Sequence, residues 1–124
     1  MSDSHSHPIF VYGTLRTGGA KHGMIAGGEM LRAAKLRGTL YDLGPYPAAL
    51  LRGHRLVHGE LWTCPAETVR ALDAYEGVGN GLFRRVTARD EEGTRCWIWV
   101  AGPGLEPELT SDLIVQSGRW RPEQ

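Results

Sequence analysis

The run Ile9-Phe10-Val11-Tyr12 is apolar throughout and breaks at once into Gly13-Thr14-Leu15-Arg16-Thr17-Gly18-Gly19. An uninterrupted apolar run of this kind reads as a β-strand, and a strand that ends in a glycine-bearing loop presents backbone donors at its tip. If Gly13 adopts angles closed to other residues, the amides of Gly13, Thr14 and Leu15 turn outward together and form a concave site for a carboxylate or an oxyanion. The plainer alternative, in which Gly13 only marks a turn, stays open at this point. Two other phosphate-loop types are excluded. The pattern Gly-x-x-x-x-Gly-Lys-Ser/Thr is absent, since Lys21 is followed by His22. So are the Gly-x-Gly-x-x-Gly spacing and the strand-helix alternation of a doubly wound sheet.

At 124 residues the chain suits one domain with its own hydrophobic core. Lys plus Arg and Asp plus Glu number 14 each, so no net field draws the protein to nucleic acid or to an acidic membrane. The expected partner is a small molecule or a protein. No apolar stretch reaches the roughly 20 residues that span a bilayer, and the N-terminus lacks the basic and apolar regions of a signal peptide. A cytoplasmic protein is expected, with Cys64 and Cys96 as free thiols. Residues 1–8, with His5 and His7 among Ser and Asp, read as a flexible tail rather than a metal tract. Elsewhere His, Cys and carboxylates do not gather at ligand spacing, so no metal site is expected.

Residues 18–28 are glycine-rich and suggest a loop with one short helix. Residues 36–43 read as a strand that ends at the turn Gly44-Pro45-Tyr46-Pro47. Residues 48–51 form a short extended piece, and residues 55–62 another strand, with a bulge expected at Gly59. A helix is expected over residues 66–76, with Pro65 in its first turn, Thr63 or Cys64 at its cap, and Gly77 as its terminator. Residues 82–90 and 95–101 form a hairpin around the polar turn Asp90-Glu91-Glu92-Gly93. Strands outnumber helices and lie close in sequence, which predicts an α+β domain with a small curved sheet or mixed β-barrel.

One carboxylate breaks the helical pattern. At about 100° per residue, Val69, Leu72 and Glu76 share a face, so Glu76 stands where Leu or Ala is ordinary. Polar residues that break a local rule are often functional. Burial beside apolar side chains would raise the pKa of Glu76 and make it a proton shuttle near neutral pH. The alternative is that the last turn frays and Glu76 meets water, Arg84 or Arg85. Asp73 lies nearer the edge of the stripe and is the poorer candidate. His54 and His58 fall in or near a strand, and Thr14 has no evident base, so no Ser-His or Cys-His arrangement competes.

Several blocks occur in order along the chain: Val11-Tyr12-Gly13-Thr14-Leu15-Arg16 with His22 after it, Gly38-Thr39-Leu40-Tyr41-Asp42-Leu43-Gly44, Tyr46-Pro47-Ala48, Gly59-Glu60-Leu61-Trp62, Leu72-Asp73-Ala74-Tyr75-Glu76-Gly77 and Ser117-Gly118-Arg119-Trp120. Together they resemble the gamma-glutamylcyclotransferase-like (AIG2-like) family over nearly the whole chain. The resemblance implies one domain over residues 9–124, a small mixed β-barrel flanked by short helices. It implies intramolecular attack of a substrate's α-amine on its γ-carbonyl, which releases 5-oxoproline and an amine without a cofactor. Glu76 would act as general base and acid, and Tyr12, Gly13, Thr14 and Leu15 would bind the substrate. Phe83, Lys21 and Arg119 depart from the family's usual Tyr, Asn and Asp. The Tyr-Gly-Thr-Leu form and short length look closest to the gamma-glutamylamine cyclotransferase branch. The expected assembly is a monomer or weak homodimer. Two rivals remain: a binding or regulatory module without catalysis, and an amidase that activates water at Glu76.

Overall fold

The computed structural model describes residues 7–121. Seven strands follow one another along the chain: β1 (Ile9–Val11), β2 (Glu29–Arg37), β3 (Thr39–Asp42), β4 (Pro47–Leu50), β5 (Leu56–Thr63), β6 (Phe83–Arg89) and β7 (Arg95–Ala101), with the helix α1 (Ala66–Tyr75) between β5 and β6. They form a five-stranded sheet in the order β2-β5-β1-β7-β6 and a separate ribbon, β3-β4. Of residues 1–8, expected as a tail, residues 1–6 lie outside the described residues. The carbonyl of Pro8 accepts the Trp97 N–H at 2.8 Å.

The short opening strand is central because its residues are apolar on both faces. Ile9 and Val11 join one buried cluster with Trp62, Leu72, Phe83 and Trp99; Phe10 and Tyr12 join the other with Leu61, Ile98, Val100 and Trp120. β1 runs antiparallel to β5, with Phe10 opposite Leu61, and parallel to β7, with Ile9 opposite Trp97. That parallel pair sits in a sheet whose other ladders are antiparallel.

The sheet does not close, which corrects the barrel expectation. Its edges, β2 and β6, share no ladder. The tip of the β6–β7 hairpin reaches β2 instead: the Glu91 N–H donates to the Lys35 carbonyl at 2.9 Å, and Arg32 Nη1 lies 2.7 Å from Asp90 Oδ2. Burial works against the Asp90 charge, but the bond to Arg32 and the N–H groups of Thr94 and Glu92 outweigh it and hold the carboxyl below its ordinary range. One backbone bond and a set of side-chain contacts, Arg32 with Asp90, Glu92 and Thr94 and Arg37 with Glu91, thus stand where a barrel would need a strand pair.

Residues 29–37 were expected to be strand only from residue 36. Met30, Leu31, Arg32, Ala33, Ala34 and Lys35 are mostly good helix formers and none is β-branched, so no local signal marks a strand. The full-length ladder with β5 supplies it. The bulge lies in β2, between Met30 and Arg32, not at Gly59. Gly59 is a close approach: a Cβ there would stand 2.3 Å from the Val11 carbonyl oxygen and 2.8 Å from the Phe10 ring. The extended piece expected over residues 48–51 is β4, shifted by one residue to Pro47–Leu50; the hairpin expected over residues 82–90 and 95–101 is β6–β7, and both cysteines are free as expected. Among the described residues no helix is long and apolar enough to cross a membrane.

Candidate active site

α1 starts at Ala66, as expected, but its cap is a different residue. Pro65 is its N-cap in extended geometry, and its carbonyl accepts the N–H groups of Thr68 and Val69. Thr63 and Cys64 therefore lie before the cap. Leu72 is fully buried and Val69 packs on the same cluster, so the apolar stripe faces the sheet. The helix ends as predicted: Glu76 is the C-cap, its N–H bonded to the Leu72 carbonyl at 2.8 Å, and Gly77 takes the left-handed angle φ 67°.

This termination fixes Glu76 at the mouth of a cavity of about 250 Å³. Gly13, Thr14 and Leu15 line the same cavity, together with Tyr12, Trp99, Tyr46, Pro47 and Phe83. Glu76 is the only charged residue among those lining it. Among the described residues no salt bridge reaches its carboxyl group; Arg85, a suggested partner, pairs with Asp73 instead, Nε to Oδ1 at 2.9 Å. Burial without a partner pushes the Glu76 pKa up to about 7. Asp73 also accepts the Trp99 indole N–H at 2.9 Å, so it anchors the cavity wall and does not face into it.

The turn after β1 presents its amides for a reason the sequence did not disclose. Gly13 has no positive φ, so conformational freedom is not why glycine stands there. Space is: a Cβ would lie 2.7 Å from the Pro47 ring. The carbonyls of the turn are all held from outside the cavity. Gly13 O accepts from Arg16 N at 3.1 Å and Arg16 Nε at 3.2 Å, Thr14 O accepts from Lys21 N at 2.9 Å, and Leu15 O lies 2.9 Å from His22 Nδ1. A carbonyl can only accept, so Nδ1 is the protonated nitrogen of His22. In a trans peptide the N–H points opposite to the C=O. The Thr14 and Leu15 amides are therefore turned away from those partners, and neither they nor the Gly13 amide donates to any described residue. Orphan amides beside a cavity are an anion site in waiting.

Tyr12 is buried and doubly bonded: its phenol donates to the Trp99 carbonyl at 2.6 Å and accepts the Ala49 N–H at 3.1 Å. Burial, with the Glu76 charge adding to it, drives the phenol far above its ordinary pKa, so it stays neutral. It braces β1, β4 and β7 against one another. Phe83 is buried, its ring 6.2 Å from that of Tyr46, a packing role for the missing hydroxyl. Trp99, Tyr46 and Leu82 were not foreseen as cavity residues. Nothing in their local sequence separates them from ordinary core or turn positions.

The arrangement joins one unpaired carboxyl group, its pKa pushed up to about 7, to a set of free amide donors. The family described as Gamma-glutamyl cyclotransferase, AIG2-like, matches residues 9–122. A Vibrio cholerae protein named provisionally as a gamma-glutamylcyclotransferase is 40% identical over 116 residues, which cover 92% of this chain and 95% of that one. A Bos taurus protein named gamma-glutamylaminecyclotransferase is 38% identical over 82 residues, 56% of this chain and only 48% of the relative. The crystal structure of the uncharacterized protein PH0828 from Pyrococcus horikoshii superposes with a TM-score of 0.74 at 26% identity, covering 92% of this chain and 89% of that chain. A family match running almost end to end, with a relative spanned over nearly its whole length, shows that the chain belongs to the gamma-glutamyl cyclotransferase, AIG2-like family of enzymes.

Proposed function

We propose that this enzyme cyclises γ-glutamyl amines, with Glu76 as the proton shuttle and the residue 13–15 amides as the anion cradle. The observation that carries the reading is the unpaired Glu76 carboxyl, pushed up to about 7, on the same cavity as three unclaimed backbone N–H groups. Glu76 takes a proton from the substrate's α-ammonium group. The freed amine attacks the γ-carbonyl, and the negative charge that develops on its oxygen, or the substrate's own carboxylate, is met by the loop amides. Glu76 then gives the proton to the departing nitrogen, the C–N bond breaks, the ring nitrogen's second proton passes to the released amine, and 5-oxoproline and an alkylammonium ion leave. Nucleophile and electrophile share one molecule, so the site needs only to fold the substrate and manage its protons.

The cavity's lining supports an amine leaving group without a carboxylate. Glu76 is its single charge, and the half-exposed Tyr75 and Leu82 give its mouth an apolar rim. A leaving group bearing an anion would find no cation there.

The test is product analysis with a panel of γ-glutamyl alkylamines. The wild type should release 5-oxoproline, and Glu76→Gln should fold normally while losing turnover by at least about a hundredfold. Unchanged release by that variant rejects the role of Glu76. Free glutamate as product would identify a hydrolytic amidase, and binding without product between about pH 6 and about pH 9 would identify a non-catalytic module.

A further inference from the structure

The turn has a second face, and it is basic. Behind residues 13–20 runs a groove of about 380 Å³ lined by Arg16, Arg119 and Arg121, with no Asp or Glu among its lining residues. None of the three arginines forms a salt bridge among the described residues. Arg16 is held rigidly: Nε donates to the Gly13 carbonyl and Nη2 to the Trp120 carbonyl, which leaves Nη1 without a described acceptor. Its charge is half-buried, and burial together with Arg121 and Arg119 opposes its ionisation, with only Glu60 working the other way. Glu60 is committed elsewhere, its Oε1 accepting from Thr17 N at 2.9 Å, Thr17 Oγ1 at 3.1 Å and Trp62 Nε1 at 3.0 Å. The Gly18 and Ala20 N–H groups, on the same groove, also donate to no described residue. A carboxylate at position 119, the residue type of the closing Ser-Gly-Asp-Trp pattern, would offset Arg16. Arg119 adds to its charge instead.

The geometry points to a binding site for a phosphate group in this groove, held by Arg16 and Arg119 and separated from the substrate cavity by the Gly13–Thr14 peptide. A rigid guanidinium with unclaimed donors, a second guanidinium beside it and free amides at the rim match the several acceptor oxygens of a phosphate. Three arginines face one nearby carboxylate, Glu60, whose Oε1 already serves Thr17 and Trp62, and an anion offsets the excess positive charge. The site goes beyond the cyclisation reading and does not depend on it, because binding is read without substrate.

The experiment is calorimetric titration of the whole chain at fixed ionic strength with inorganic phosphate and, separately, with a small phosphomonoester, sodium chloride serving as the control. Saturable binding is expected, weakened by about tenfold or more in Arg119→Asp and in the milder Arg119→Ala. Tighter binding of the monoester would identify an organic phosphate as the ligand, and equal binding would identify free phosphate. Heat signals matched by chloride, or phosphate binding unchanged in both Arg119 variants, would overturn the site.

Discussion

Asp73 and Glu76 stand one turn apart at the end of the same helix, and their surroundings differ in one respect. Asp73 gathers two donors on a single oxygen, from Arg85 and from the Trp99 indole, and so fastens α1 to β6 and β7. Glu76 is buried to a comparable degree but gathers none, and burial alone moves its pKa. The first carboxylate serves stability. The second is held at a cost to stability, which is how a group keeps a proton within reach of neutral pH. Removing charge at the two positions should therefore act in opposite directions.

The largest contrast is in stability against pH. Glu76 titrates at about 7 in the folded chain and near its ordinary 4.5 once unfolded. Between those values the folded state holds more protons than the unfolded one, so stability falls as pH rises through the window and stays lowered above it. The separation corresponds to about 3 kcal/mol. Glu76→Gln, which cannot ionise, should be more stable than wild type at about pH 8 by up to about 3 kcal/mol, with the gap closing at about pH 4. Urea unfolding at the two pH values measures it. Equal stability at both would mean that the carboxylate is solvated and would undo the comparison.

A slightly smaller effect concerns rate. If Glu76 accepts the substrate's proton, kcat/KM should rise about tenfold per pH unit and level off near 7, standing about a hundredfold below its plateau at about pH 5. A pH-rate profile of 5-oxoproline release decides this. An acid limb near 4.5, where an ordinary Glu titrates, would assign the limb to a different group.

Asp73→Ala comes next and has the opposite sign from Glu76→Gln. It leaves the half-buried Arg85 and the Trp99 indole without their acceptor and should cost about 2 kcal/mol, read as a lowered urea midpoint with an unchanged slope. No loss would mean that water replaces the carboxylate at both donors.

The sequence disclosed these two carboxylates unequally, and physics explains why. Glu76 broke an amphipathic pattern, which is a local signal, and the Gly77 terminator fixed where the pattern stopped. Asp73 ranks lower because it lies nearer the edge of the stripe; its partners stand on β6 and β7, and no helix periodicity reports a contact made across the fold. The same division holds elsewhere. β1, α1 and the β6–β7 hairpin carried their own signatures, whereas β2 is a strand only because β5 pairs with it. The backbone freedom expected of Gly13 is not what the turn uses, since its φ is not positive and the steric limit comes from Pro47, which approaches only in three dimensions. The open sheet was likewise beyond local reading. Whether β2 and β6 share a ladder depends on curvature summed over five strands.

The smallest predicted effect separates position from charge. Asp73→Asn keeps an oxygen for the Trp99 indole and for Arg85 but removes the charge that strengthens both bonds. The expected loss is about 1 kcal/mol, the difference between charge-assisted and neutral hydrogen bonds. Burial alone raises the Glu76 pKa, and α1 keeps its hold on Trp99, so the acid limb of the pH-rate profile should stay near 7 in this variant. Turnover at the plateau should remain within a few-fold of wild type. A limb displaced toward the ordinary carboxylate range would show that the Asp73 charge, and not burial, tunes Glu76, and the two residues would then form one coupled acid pair instead of an anchor and a proton shuttle.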